Sequence, residues 1–367
     1  MKQVNKRGLS RPAAVPATVF LFACAAVVAV SLLSSFTGCA RDRKKNSEKK
    51  IVIGFSIATD TFIIERWNKD IKIFTGAARD RGADVIVQLS AGGTKEQIDQ
   101  INFLLARHID VLVVVAHDTE MLAGVVKKAR DARIPVVAYD RLIMGVPIDA
   151  FVSFNNREVG RLFGEALMKA VPAGRYLIVN GSKRDNNSYE VNGGLHEVLA
   201  PRLNTGQIKI VQEIWLDEWS FDEALEKIGA VLERTTGIDA ISCANDQIAS
   251  AALQLLSEYR LAGKVAVVGQ DADIGACQKI VEGTQLMTVY KPIGRLAERA
   301  AGIAVDVVNK SLPAPDLEID NRSGTKIPYY MEEPKAVFRG NVDETVIRDG
   351  FHSAEDVYRN LNERVKK

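Results

Sequence analysis

Residues 110–140 read DVLVVVAHDTEMLAGVVKKARDARIPVVAYD. An apolar run from Asp110 to Ala116 is followed by an amphipathic stretch, Thr119–Arg133, and by a second apolar run from Ile134 to Asp140. Strands that read as continuous Val-rich runs, without polar alternation, are buried on both faces. Two such strands joined through a helix pair in parallel, because a parallel pair needs a long crossover. This one unit predicts an α/β fold with helices covering a parallel sheet.

The same alternation extends in both directions. Before it lie IVIGFSIA from Ile51 and ADVIVQLS from Ala83. After it come AFVSFN from Ala150, RYLIVNG from Arg175, IKIVQEI from Ile208, DAISCAN from Asp239, KVAVVGQD from Lys264 and LMTVYK from Leu286. Helical patterns occupy Lys95–His108, Glu158–Ala170, Phe221–Arg234 and Ile293–Asn309. Ten strands crowd one open sheet, and 367 residues suit two domains. Two successive doubly wound lobes are expected, dividing near Phe154–Asn156. The first would hold 51–154 with about 293–318, and the second 155–292 with about 319–367. The tail from Leu312 is less regular, rich in proline and charge, and is expected to cross back over the hinge.

The N-terminus reads differently. Residues 1–12 are basic and Ala13–Phe36 almost wholly apolar or small, the layout of a secretory signal over residues 1–38. It ends Phe36-Thr37-Gly38-Cys39, similar to a bacterial lipobox, with Cys39 as the residue to be lipidated. The alternative is an uncleaved anchor, since the apolar stretch is long enough to span a bilayer. ARDRKKNSEKK, residues 40–50, is charged and without apolar period, a flexible tether that completes 39–50. The formal charge is +2; removing Lys2, Lys6, Arg7 and Arg11 of the leader leaves −2. That balance argues against nucleic-acid binding, which needs a basic face. The cysteines are Cys24, Cys39, Cys243 and Cys277, with no C-x-x-C pair to suggest a zinc or redox site. For Cys243 and Cys277, buried free thiols are the plainer expectation and a disulfide the alternative.

Polar residues gather where the apolar runs end. In open parallel sheets, ligands bind beyond the carboxyl ends of the strands. Asp140 and Arg141, Asn155 and Asn156, Asn245 and Asp246, Gln270 and Asp271, and Lys291 all stand at such ends; Asp185–Asn187, Trp215 and Trp219 follow closely. The set suits a neutral sugar. Each hydroxyl donates and accepts, so carboxylates take its proton while Arg, Lys and amide groups serve its oxygen. A tryptophan ring can cover the apolar face of a pyranose. Each Asp or Asn taken singly can equally cap the helix that follows, as Asp246 and Asp273 could.

These segments resemble the bacterial D-xylose-binding protein family, within the periplasmic sugar-binding superfamily. The likeness runs from Ile51 almost to the C-terminus. It is carried by Glu65-Arg66-Trp67, Tyr139-Asp140-Arg141, Asp185-Asn186-Asn187, Trp215 with Trp219, and Asn245-Asp246. GQDAD over Gly269–Asp273, MTVYKP over Met287–Pro292 and TVIRDGF over Thr345–Phe351 continue it. The resemblance implies a type I periplasmic binding protein, two lobes on a three-stranded hinge closing on one sugar. The implied ligand set is Arg66, Trp67, Asp140, Arg141, Asn187, Trp219, Asn245, Asp271 and Lys291. Trp67 or Trp219 would close the space that a hexose CH₂OH needs. The loop Thr59–Ile64 departs from the family pattern, being longer and more apolar. The implied partners are D-xylose or another monosaccharide, an ABC-type permease, and in the sensing alternative a chemoreceptor or histidine kinase. A monomer held at the membrane by lipid, periplasmic or at the cell surface, is expected, with no cofactor and no metal.

An enzyme finds no support: there is no P-loop, G-x-G-x-x-G, H-E-x-x-H or G-x-S-x-G, and His108, His117, His196 and His352 share no metal-ligand spacing. A sugar-responsive repressor would need a basic DNA-binding segment where the leader stands.

Overall fold

In the computed structural model, which describes residues 50–59 and 64–361, β1 (Ile51–Ala58) pairs in parallel with both β2 (Ala83–Ser90) and β3 (Val111–Val115). β4 (Val136–Tyr139) and β5 (Ala150–Phe154) extend the sheet beyond β3, again in parallel. Alternate side chains serve opposite faces. Ile53, Phe55 and Ile57 join Val111, Val113 and Val115 in one core, while Leu112 and Val114 join another. The first core lies under helices α1 (Ile64–Asp80) and α9 (Ile293–Asn309), which supply Phe74, Ala78, Leu296 and Ala300. The second lies under α2 (Gly93–Ala106) and α3 (Ala123–Asp131). Each large apolar side chain withdrawn from water this way contributes about 1.5–3 kcal/mol, which is why the continuous Val and Ile runs dictate a sheet covered on both sides.

The second sheet repeats the plan. Its order is β7 (Ile208–Leu216), β6 (Gly174–Ser182), β8 (Ala240–Cys243), β9 (Ala266–Gln270), β10 (Met287–Tyr290) and β13 (Lys335–Val337). Helices α4 (Asn156–Ala170) and α5 (Asn186–Asn204) cover one face. Helices α6 (Phe221–Leu232) and α7 (Asp246–Glu258) cover the other. A smaller core joins α8 (Ile274–Glu282) to the C-terminal segment, which holds a π turn at Asp343–Ile347 and the short α10 (Ala354–Val357). Cys243 and Cys277 are buried free thiols.

The chain passes between the sheets three times. It leaves the first after Phe154, returns through Lys291-Pro292 into α9, and leaves again after Glu332. The last crossing differs from the expected position near 319. Residues Leu317–Asp320 (β11) and Lys326–Glu332 (β12) both belong to the first sheet, with β12 parallel to β5. Pro328 and the flanking charges hide this strand. The proline sits where β12 faces only its edge partner β11, and pairing with β5 begins at Tyr329. The crossings lie side by side, since Asn155 donates its backbone N–H to the Glu332 carbonyl. Residues 60–63 of the first loop, the leader and Cys39 lie outside the described residues. Among the described residues no helix is long and apolar enough to cross a membrane.

Candidate functional site

The carboxyl ends of both sheets open on one cleft of ≈ 890 Å³. From the expected set, Arg66, Asn245, Asp271 and Lys291 line it. Arg66 stands in the first turns of α1, its guanidinium 4.6 Å over the ring of Trp67. It lies 3.1 Å from Asp140 and 3.9 Å from Asp271, so it touches an acid from each lobe. Lys291, on the crossing after β10, lies 2.8 Å from the same Asp271 oxygen.

Asp140 sits behind Arg66 and is almost fully buried. Burial alone would raise its pKa, but Arg66, Lys291 and Arg141 outweigh that and hold it below the usual carboxylate range. Arg141 is fixed by the Ala116 carbonyl at 3.0 Å and by Asp185 at 3.0 Å. Asn187 ties the lobes together: its amide donates to the Asp140 carbonyl at 3.0 Å and accepts from Asn156 at 2.9 Å.

Several buried polar atoms here have no well-aligned hydrogen-bond partner: Arg66 Nε and Nη2, Asp140 Oδ1, Asp271 Oδ1 and Gln270 Oε1. The Arg66–Asp140 pair is close enough at 3.1 Å, so the shortfall is one of angle. Buried polar groups are otherwise satisfied in nearly every case, so a cluster of exceptions beside a cleft calls for a cause.

Other expected residues stand further back. Trp67 is 1% exposed and belongs to the first lobe's core. Trp219 packs on the second lobe's core and lies over Gly181, where an added Cβ would meet the ring at 2.2 Å. Its indole N–H donates to Asp185 at 3.2 Å, on the oxygen that also meets Arg141. Trp215 stacks on Tyr189 with ring centroids 4.7 Å apart. Capping and lining coexist. Asn245 accepts from the Ile248 N–H at the start of α7, Asn155 caps α4 and Asp185 caps α5. Asp246 makes a different bond set, accepting from Thr288, Gln285 and the Asp273 N–H. Burial first, and then Asp273, pushes its carboxyl well above the ordinary range. Asp273 stands at the α8 cap position without a side-chain cap bond.

Two groups escape the strand-end rule. Asp70, one helical turn beyond Arg66, is fully buried, lies 3.6 Å from the guanidinium and accepts from the Tyr139 hydroxyl. Burial pushes its carboxyl up to about 7, against the pull of Arg66 and Tyr139. The signal was present as a four-residue spacing from Arg66 on an amphipathic helix. The other group is the C-terminal segment, whose Phe351, His352, Ser353, Asp356 and Arg359 form one wall of the cleft. The TVIRDGF stretch ends at this wall. Among the described residues no cluster of His, Cys, Asp and Glu could hold a metal ion.

Comparison with known proteins agrees with this geometry. Residues 54–311 match the family model described as periplasmic binding protein domain. The D-xylose-binding periplasmic protein of Haemophilus influenzae is 42% identical over 312 residues, covering 84% of this chain and 93% of that protein. Its counterpart in Escherichia coli is 41% identical over 311 residues, covering 84% and 93%. Among solved structures, a carbohydrate transporter solute binding protein from Chloroflexus aurantiacus, in complex with D-glucose, superposes with a TM-score of 0.77. It is 25% identical, and the match covers 84% of this chain and 98% of that one.

Proposed function

Because the chain belongs to the periplasmic binding protein domain family, we propose that its cleft binds one aldopentose, D-xylose first among them, for delivery to an ABC-type importer. The chain is a binding protein and not an enzyme, as its relatives are. One juxtaposition carries the sugar reading: Arg66 and Asp140 from the first lobe meet Asp271 and Lys291 around a single cleft. A hydroxyl placed among them can donate to a carboxylate while accepting from the guanidinium or ammonium group. In a closed cleft such bonds gain weight, because a ligand lacking one hydroxyl leaves a buried group unpaired.

The same arrangement accounts for closure. Contacts drawn from both lobes favour the closed form, and a partner that prefers the joined surfaces then selects the loaded protein. An importer permease is the partner in this reading; a chemoreceptor or sensor kinase would use the same closure. In this reading the protein is a monomer tethered by lipid at Cys39, periplasmic or at the cell surface.

The test is titration calorimetry of the purified protein with D-xylose, D-ribose, L-arabinose, D-glucose and D-galactose. Tight one-to-one binding of D-xylose alone is expected. Preference for another of these sugars keeps the role and moves the specificity, with the loop around residues 60–63 the place to look. Binding of none of them removes the sugar assignment.

A further inference from the structure

We infer, building on the reading of Asp271 as a sugar contact, that His352 is a positioning residue for the cleft: it holds the corner Asp271–Ala272 and so sets the direction of the Asp271 carboxylate. Asp271 has φ +96° and Ala272 φ +53°, two consecutive non-glycine residues in the left-handed region. Backbone of this kind persists only where its surroundings over-determine it, and it clusters at functional sites.

The ties can be followed group by group. The Asp271 N–H donates to the Val289 carbonyl at 2.8 Å. The Ala272 N–H donates to the Thr288 hydroxyl at 3.2 Å, which itself donates to Asp246 at 2.7 Å. The Asp273 N–H donates to that same Asp246 oxygen, Oδ2, at 3.0 Å. These bonds fix the corner through its N–H groups and from beneath. The Ala272 carbonyl is held from the opposite side, by His352 Nε2 at 2.7 Å. A carbonyl only accepts, so Nε2 carries the proton. The second donor to this carbonyl is the Cys277 thiol at 3.5 Å, a weak one.

His352 is itself well placed. The Phe351 N–H donates to the Val346 carbonyl at 2.9 Å, anchoring this part of the chain on the π turn. The Phe351 ring lies 5.0 Å from Tyr290 and 5.4 Å from the ammonium of Lys69, three residues along α1 from Arg66. The C-terminal segment therefore braces the second lobe's acid while resting against the helix that carries the first lobe's cation. A binding group must be held within about 0.5 Å of its productive place by the residues behind it. His352 supplies that support from outside the strand ends.

The experiment compares His352→Ala, His352→Gln and Asp271→Ala with the natural protein, by D-xylose titration calorimetry and thermal melting, all titrations run well below each melting point. His352→Ala is expected to weaken binding about tenfold, the scale of one lost hydrogen bond. His352→Gln, whose amide can still donate to the carbonyl, is expected to recover most of that loss. Recovery distinguishes positioning from packing, which an uncharged amide of different shape would not restore. Asp271→Ala losing binding while His352→Ala keeps it overturns the inference and leaves the site reading intact. A lowered melting point with unchanged affinity overturns it as well, as does glutamine no better than alanine. Asp271→Ala with full affinity instead removes the site reading on which the inference stands.

Discussion

Asp140 and Asp271 occupy the same corner in two lobes. Each follows the fourth strand of its sheet in the shared order, β4 in one and β9 in the other, and each has positive φ, +63° and +96°. Each donates its N–H to the next strand at 2.8 Å, to Val152 and Val289. Their surroundings then part. The Asp140 carbonyl accepts from Ser153 at 2.6 Å and from Asn187 at 3.0 Å, and its carboxylate is enclosed by cations. The Asp271 side chain keeps 19% of its surface and faces the cleft between Lys291 and Arg66. The fold repeats a strained corner that projects a carboxylate; the neighbours decide whether that carboxylate is a fixture or a point of grip. In the proposed function, Asp140 is the floor of the site and Asp271 the part that meets the sugar.

Exchanging each acid for alanine tests that division, and the largest effects are expected here. Asp140→Ala leaves the buried Arg66 short of its nearest counter-charge and should cost about 3–5 kcal/mol of stability together with sugar binding. Asp271→Ala should lose at least about a hundredfold in affinity, since it removes a charged hydrogen-bonding group on the cleft, while costing less stability than Asp140→Ala, because Asp271 is 19% exposed against 5% for Asp140. Urea denaturation and calorimetry on both variants give the answer. Equal losses of stability would break the distinction between floor and grip.

Trp219 sharpens the comparison within the second lobe. Trp219→Ala should weaken sugar binding about five- to tenfold through lost ring contact and a disturbed Asp185. Gly181→Ala should act in the same direction, because the new methyl group has no room beneath the ring. Full affinity in both variants would assign Trp219 to the core against which it packs.

The sequence showed the lobes plainly because buried parallel strands have one signature, and all ten apolar runs form strands. It missed β11, β12 and β13, which are edge or near-edge strands with charges and Pro328, so no continuous apolar run marks them. The gathering of Arg66, Asp140, Asp271 and Lys291 followed from strand ends and from likeness together. Distances in the chain obscured the rest. His352 meets Ala272 across 80 residues, and Asp70 meets Tyr139 across 69. No local pattern encodes contacts of that kind.

The smallest expected effect concerns the acids behind the two corners. Asp70 lies behind Asp140, and Asp246 lies beneath the Asp271 corner; burial raises both, while Asp140 is lowered. For Asp70 the native carboxyl titrates at about 7, against 3.8 as its ordinary value. The native state therefore binds more protons than the unfolded chain between those pH values. Its contribution to stability is full below pH 3.8, declines as pH rises through that window, and is lost above 7. Between pH 6.5 and 8 the decline should be on the order of 1 kcal/mol. Asp70→Asn keeps an acceptor for the Tyr139 hydroxyl but has no proton to lose, so its stability should be flatter over that interval. Urea denaturation at four pH values on both proteins measures the two slopes. Parallel slopes would show that Asp70 does not titrate over that interval, which would remove the pH dependence assigned to the first lobe's inner acid.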